Sequence, residues 1–389
     1  TDHWHGEAAM DFRLTEEQEL FRRAVADFVD REVVPVAGEM DEREEFPWEL
    51  FRKVAGLGWL GVRYPEEYGG AGADNTSFNL MCEELARGSM GLAATVAMQG
   101  LMGTDFVHRF GTEEHKQRLL APALRGEKVG SIAMTEPGAG SDLGAIRTTA
   151  VRDGDEYVLN GTKMWITSAT VADFFTIAAK TDPEAGFRGV DLFLVEKGTP
   201  GLRVGRPIRK LGTRSSETSE VILENVRAPA ENLLGGEEGV GVSLLRGILD
   251  EIRVMTGALS VGLARAALDA AIRYAGEREA FGRPIIKFQA TQHKLADMAT
   301  RLEAARTFVY RAAWLIDQGE ADTRISAMAK LFASEMANYV ADETTRIFGA
   351  YGFAMEYDAQ RYFRDARFLL YGGGTSEILK NIIARQLTR

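Results

Sequence analysis

The chain has 389 residues, of which 45% are hydrophobic and 26% charged, and its 57 acidic and 46 basic side chains leave a net charge of −11. One hydrophobic core stops growing at about 250–300 residues, so two or three domains are expected, with ample material to bury. The acidic balance excludes a sequence-independent grip on nucleic acid, which needs a basic surface. The single cysteine, Cys82, excludes an internal disulfide and a Cys-rich metal site, and with five His no metal centre is expected.

At the N-terminus, Thr1-Asp2-His3-Trp4-His5 lacks the charged-then-apolar layout of a secretory signal, and no run of about 18 consecutive apolar residues follows. A cytoplasmic protein with no membrane segment is expected, and the residues before Met10 read as a native extension or an added leader. From 10 to 130 the pattern is helical. Thr15 and Gln18 have the spacing of a capping box, and Leu20, Phe21, Ala24, Val25 and Phe28 recur at helical intervals. Pro35 and Phe46-Pro47-Trp48 interrupt that pattern, and the turn-rich Tyr64-Pro65-Glu66-Glu67-Tyr68-Gly69-Gly70 precedes a long amphipathic stretch from Ser77 to Phe110.

Between 131 and 240 the texture changes to short β-rich runs such as Phe174-Phe175-Thr176-Ile177 and Leu192-Phe193-Leu194-Val195, separated by Gly, Asn and Pro turns. A compact antiparallel β-domain is expected there. From 241 to 389 Ala- and Leu-rich periodic segments return at 241–278, 288–317, 321–349 and 375–387, which predicts a four-helix bundle. The fold class is therefore α+β: N-terminal helical domain, central β-domain, C-terminal bundle. No Gly-x-Gly-x-x-Gly follows a strand, so a Rossmann nucleotide site is not expected.

Two segments carry chemistry. Ala133-Met134-Thr135-Glu136-Pro137-Gly138-Ala139-Gly140-Ser141-Asp142 offers small residues that let backbone N–H groups approach an oxygen-rich ligand. Asn160-Gly161-Thr162-Lys163-Met164-Trp165-Ile166-Thr167 adds a hydroxyl beside an aromatic wall. Together they resemble the two flavin-contacting signatures of the acyl-CoA dehydrogenase family. Further matches follow in order: Glu83-Glu84-Leu85-Ala86, Arg278-Glu279-Ala280-Phe281-Gly282-Arg283, Phe288-Gln289, Phe348-Gly349-Ala350-Tyr351-Gly352, Arg364-Asp365-Ala366-Arg367 and Gly374-Thr375-Ser376-Glu377-Ile378. The likeness spans about 10–389.

That resemblance implies FAD as cofactor and an oxidoreductase that acts on the CH–CH bond of an acyl thioester, an acyl-CoA or an acyl or aminoacyl carrier protein. It implies FAD contacts at Met134, Thr135, Gly140, Ser141, Trp165, Ile166, Thr167, Thr375 and Glu377, and contacts to a neighbouring subunit's FAD at Arg278, Phe281, Gln289, Arg346 and Gly349. A homo-oligomer, most often a tetramer, follows, with an electron-transfer flavoprotein or another acceptor taking the electrons. Asp250 and Arg253, three apart on one helical face, match positions near the pantetheine arm of the thioester, and Gly373 and Gly374 match the acyl site.

In this family a carboxylate removes the proton α to the thioester carbonyl while the β-hydrogen leaves as hydride to flavin N5. Relatives hold that Glu at one of two places. Here the first reads Tyr371-Gly372-Gly373-Gly374-Thr375, with Gly373 at the Glu position, and the second reads Asp250-Glu251-Ile252-Arg253, with Ile252 there. Neither residue takes a proton. Glu251 is the nearest carboxylate and the expected base, although one residue along a helix turns a side chain by about 100°. The alternatives are a substrate that needs no enzymatic base, elimination chemistry of a lyase or desulfinase-like kind on the same scaffold, or lost dehydrogenation. The Gly372–Gly374 run leaves room at the α-carbon for a branched or cyclic acyl group. Thr181–Val190 and Glu196–Leu202 are similar to members that oxidise aminoacyl groups on a carrier protein. A DNA-associated flavoprotein is disfavoured by the acidic charge.

Overall fold

The computed structural model describes residues 13–388, so the readings made at residues 1–10 lie outside the described residues. The N-terminal part contains helices α1 (Glu16–Phe28), α2 (Ala37–Arg43), α3 (Trp48–Gly56), α4 (Asn75–Gly88), α5 (Met90–Ala97), α6 (Asp105–Phe110), α7 (Glu113–His115) and α8 (Ala121–Leu124). The capping box forms as the spacing predicts. The Thr15 hydroxyl accepts from the Gln18 amide at 3.1 Å, and the Gln18 side chain accepts from the Thr15 amide at 3.0 Å.

Seven strands make one sheet: β1 (Gly130–Ala133), β2 (Thr149–Asp153), β3 (Glu156–Thr167), β4 (Phe174–Lys180), β5 (Val190–Glu196), β6 (Leu202–Val204) and β7 (Thr218–Pro229). The expectation of a wholly antiparallel domain needs correction. β5 pairs antiparallel along one edge of β4, but the other edge takes β1 in parallel over Gly130–Ala133 and then meets β2 in parallel at Lys180. Such long-range pairings leave no local sequence signal, because no tight turn joins the partners. The apolar runs of β4 and β5 bury both faces. Phe174, Ala178, Leu192 and Leu194 join the core shared with the helices, while Phe175, Ile177, Phe193 and Val195 face the β-domain's own core.

The C-terminal part has α9 (Gly241–Glu277), the small hairpin β8 (Glu279–Ala280) and β9 (Arg283–Pro284), then α10 (Gln289–Asp317), α11 (Thr323–Phe348), α12 (Asp358–Phe368) and α13 (Ser376–Leu387). The periodic segments sit where expected, and α12 is an addition. Its sequence, Asp-Ala-Gln-Arg-Tyr-Phe-Arg-Asp-Ala-Arg-Phe, is short and charged, which masked its apolar stripe.

α9 is long and apolar enough to cross a membrane by composition, yet 78% of its most apolar window is buried inside the fold, as befits a central core helix. It lies hard against its neighbours. A Cβ on Gly262 would come within 2.0 Å of the Glu83 carbonyl oxygen in α4, so a hydrogen is the only side chain this approach admits.

Charged groups tie the three parts together. Asp41 of the N-terminal part receives Arg214 from the β-domain and Arg364 from α12. Next to Arg364, the buried Asp365 carboxylate accepts from the Thr213 amide at 2.6 Å. Burial pushes its pKa up to about 6 despite Arg361 nearby.

Two tests follow. Gly262→Ala is expected to cost about 1–3 kcal/mol by forcing α4 and α9 apart, whereas Gly247→Ala, with open space around it, should be neutral or stabilising by up to about 1 kcal/mol; urea denaturation reads both. For Asp365, a folded pKa above the ordinary value means that its contribution to stability is full at low pH and is lost as pH rises through about 6. Asp365→Asn should therefore gain on the wild type in melting temperature between pH 4 and pH 7. A constant gap across that range would contradict the burial effect.

Candidate active site

The two flavin-type segments meet in the β-domain. β1 leads into the loop of Met134, Thr135, Gly140 and Ser141, and the amide of Met164 in β3 donates to the Thr135 carbonyl at 2.8 Å. The register of β3 against β7 slips between Lys163 and Ile166, because Met164 and Trp165 together oppose Glu220 alone. This bulge comes with Trp165 at φ +63 and leaves that residue 58% exposed, while Ile166 packs inward. Among the described residues, no group hydrogen-bonds the hydroxyls of Thr135, in the loop after β1, and Thr167, at the end of β3. No atom stands within 4 Å of a Cβ placed on Gly138 or Gly140. An exposed aromatic wall, free hydroxyls and an open Gly loop fit a flavin, which Trp165, Thr135, Thr167 and the Gly138–Gly140 loop would hold.

Sequence reading missed the groups that fix this platform. Glu136 accepts from the amides of Arg147 and Thr148 at 2.7 and 2.9 Å and from Lys163 Nζ at 2.8 Å, binding the loop to β3. Burial lowers the Lys163 pKa to about 8, against the pull of Glu136. The signal was present, since an acidic and a basic residue sit one in each matched segment.

The second half of the site is built on α9, where successive side chains diverge by about 100°. Ile252, 3% exposed, points at the loop after α12: a Cβ on Gly373 would lie 3.8 Å from Ile252 Cγ2 and 3.0 Å from Thr256 Oγ1. The two places where relatives carry a base thus face one another, and neither residue brings a carboxylate into the space between them. Gly373 and Gly374 have φ +70 and +105. The loop is held from behind by Lys330 of α11, whose buried ammonium donates to the Gly374 carbonyl at 2.7 Å. Burial lowers its pKa to about 8. Beyond the loop, the Thr375 hydroxyl caps α13 by accepting from the Ile378 amide at 3.3 Å, and Glu377 is exposed in the first turn.

Arg253 turns toward α11. It pairs with Asp250 at 2.7 Å, and Asp250 also accepts from the Thr323 hydroxyl at 2.7 Å, so this ion pair along α9 is anchored rather than solvated. Arg253 Nε is buried without a partner among the described residues.

Glu251 is corrected. It turns away from Gly373 toward the N-terminal domain, where Arg63 and Arg109 bind its two carboxylate oxygens and Asn75 Nδ2 donates at 3.2 Å. Burial opposes the charge on Arg63, yet Asp105 and Glu251 raise its pKa above the ordinary value. Glu251 is a buried tie between α9 and the N-terminal domain, with both oxygens committed. The partners lie far away in sequence, so only the rotation along the helix could warn against it.

Arg278, Phe281, Gln289, Arg346 and Gly349 are exposed at the far end of the bundle. Phe281 and Arg346 line one surface pocket of about 260 Å³ with Phe288 and Lys294, and Arg278 stands over the Tyr351 ring at 5.6 Å. Along α9, Arg278 lies about 38 Å from Arg253.

Three family models match in order: acyl-CoA dehydrogenase N-terminal domain at 15–127, middle domain at 131–226 and C-terminal domain at 239–388. The chain belongs to the acyl-CoA dehydrogenase family. As a member it is an FAD-dependent oxidoreductase that acts on acyl-CoA substrates. It is 52% identical to benzylmalonyl-CoA dehydrogenase of Aromatoleum aromaticum, over 97% of this chain and all of that protein. Among solved structures it is similar to butyryl-CoA dehydrogenase of Megasphaera elsdenii (TM-score 0.94, 38% identity, 98% and 100% covered). It is also similar to a glutaryl-CoA dehydrogenase of Mycobacterium smegmatis in complex with FADH2 (TM-score 0.91, 34% identity, 96% and 95% covered).

For this acyl-CoA dehydrogenase, Glu251→Gln is expected to cost about 3–5 kcal/mol in urea denaturation, since it leaves buried guanidinium charge uncompensated. The folded fraction should reduce its flavin at the wild-type rate; a rate collapse without loss of stability would restore Glu251 as base. Trp165→Ala and Thr167→Ala should weaken FAD uptake, read by absorbance after desalting, with the circular dichroism unchanged.

Proposed function

We propose that the chain oxidises a CoA thioester whose α-carbon carries a carboxylate, a 2-carboxyacyl-CoA of the malonyl type, and that loss of CO2 replaces removal of the α-proton. The observation that carries this reading is the convergence of Gly373 and Ile252 on one spot with no acid on either. A thioester α-carbon must give up an electron pair to form the new double bond. With no base to take a proton, the pair has to come from a different bond, and a carboxylate on the same carbon supplies one. The similar protein named benzylmalonyl-CoA dehydrogenase supports it, because a malonyl thioester bears that group.

The bookkeeping is complete without a proton acceptor. The bond from Cα to the carboxylate breaks, CO2 leaves, and the freed pair becomes the Cα=Cβ bond. The Cβ hydrogen departs with its own pair, carrying off the negative charge that the carboxylate brought. When bound, FAD supplies the acceptor for that hydrogen and pair. The protein's part is to hold the thioester and to seat the carboxylate against the apolar wall of Ile252. Such a wall disfavours a localised carboxylate charge more than the dispersed charge of the reacting state.

We further propose that a second copy of the chain completes the FAD site. The exposed set around Phe281 and Arg346 lies at the Arg278 end of α9, about 38 Å along the helix from Arg253 and too far to serve the flavin of its own chain, and an exposed Arg suits a pyrophosphate. An electron-transfer flavoprotein or another acceptor would then reoxidise the flavin.

Anaerobic flavin bleaching is the test. 2-Benzylmalonyl-CoA or 2-butylmalonyl-CoA should bleach the holoenzyme and release one CO2 per flavin, and 3-phenylpropanoyl-CoA and butyryl-CoA should leave it yellow. Bleaching by the plain thioesters at a matching rate would overturn the proposal. Ile252→Glu, on unstrained helix, should gain bleaching by a plain thioester, with Ile252→Gln as the inactive control.

A further inference from the structure

We infer that Thr256 recognises the substrate carboxylate at Cα, an assignment that rests on the function proposed above. In relatives a side chain at the position of Gly373 reaches the hydrogen on Cα, so whatever replaces that hydrogen points back toward residue 373. With glycine there, the replacing group enters the volume a side chain would have filled.

The nearest atom to that volume is polar. A Cβ on Gly373 would stand 3.0 Å from Thr256 Oγ1, with Thr256 Cβ at 3.7 Å and Ile252 Cγ2 at 3.8 Å. A carboxylate oxygen in that place is at hydrogen-bonding distance from a hydroxyl. Thr256 is 3% exposed, and on its own side of α9 the buried Ile252 stands one turn before it and the buried Ser260 one turn after, so its hydroxyl is a polar point in the interior next to the Ile252 wall.

The hydroxyl is also free to turn. It donates to the Ile252 carbonyl at 2.8 Å, but that carbonyl lies four residues back in the same helix and keeps its main-chain partner in the Thr256 amide. Rotation about the C–O bond alone moves the proton from Ile252 to the carboxylate, with Oγ1 in place. A neutral donor orients the carboxylate without fixing its charge, and once CO2 has gone the proton returns to Ile252. The bond therefore favours binding of the 2-carboxyacyl thioester over plain thioesters, and Ile252 and Gly373 provide the space.

The test compares Thr256→Val and Thr256→Ser in the holoenzyme, with FAD content and melting temperature measured alongside. Calorimetric affinity for malonyl-CoA, which has no Cβ hydrogen, is set against that for acetyl-CoA. Thr256→Val should lose about tenfold or more of the preference for malonyl-CoA, as expected for a hydrogen bond to a charged group, with acetyl-CoA affinity unchanged, and Thr256→Ser should keep the preference. In turnover of 2-benzylmalonyl-CoA the valine variant should show the loss chiefly in KM. If the wild type is reduced by 2-benzylmalonyl-CoA with release of CO2, yet the valine variant retains the full preference, Thr256 is not the recognising group. If no 2-carboxyacyl-CoA reduces the wild type, the proposed function fails first and the Thr256 assignment falls with it.

Discussion

The turn of about 100° per residue along α9 is the constraint on which the site depends. Three neighbours on one helix perform three separate tasks because they cannot share a direction. Glu251 ties the helix to Arg63 and Arg109 of the N-terminal domain, Ile252 forms the wall opposite Gly373, and Arg253 pairs with Asp250, which Thr323 of α11 also holds. The helix is held rigidly enough for this because its neighbours touch its backbone. At Gly262 the approach to α4 leaves room for hydrogen alone. A shift of one residue would put the Glu251 charge into the acyl site and pull the ion pairs apart together.

Rigidity on the loop side has a different origin. Gly372, Gly373 and Gly374 give the backbone wide freedom, which would blur any wall they form. Lys330 offsets this through its bond to the Gly374 carbonyl, and the Thr375 cap fixes the start of α13 one residue later. A buried ammonium with a carbonyl as its hydrogen-bond acceptor is costly, as its lowered pKa records, and the same strategy appears at Lys163 beneath the flavin platform. In both places a lysine reaches from a regular element to hold an irregular one.

Much of this architecture was legible in the sequence because it is encoded locally. The Thr15–Gln18 cap, the long periods of α9, α10 and α11 and the two flavin-type segments all depend on residues close together in the chain. What escaped depends on distant partners or on masked patterns. The parallel edge of β4 joins strands with no short turn between them, α12 hides its apolar stripe among charges, and Glu251 is committed to arginines more than a hundred residues away. The absence of a base was legible for the opposite reason. Two positions of a strongly ordered motif carried residues that do not titrate, and a missing group needs no partner to be noticed.

That absence is better understood as a pair of matched features than as a defect. Had the carboxylate simply been lost, a polar vacancy would remain, or any small side chain would serve in its place. Instead residue 373 has a backbone at φ +70, which glycine adopts at no steric cost, and the hydroxyl of Thr256 would stand only 3.0 Å from the first atom of a side chain there. Returning a glutamate to 373 would meet both the strained backbone and the hydroxyl, whereas Ile252 lies on plain helix with neither obstacle. The site is therefore closed to the commoner base by conformation and open to a substrate that brings its own leaving carboxylate. Under this reading one deleted side chain changes which bond of the α-carbon breaks, while the flavin platform and the thioester grip stay those of the family.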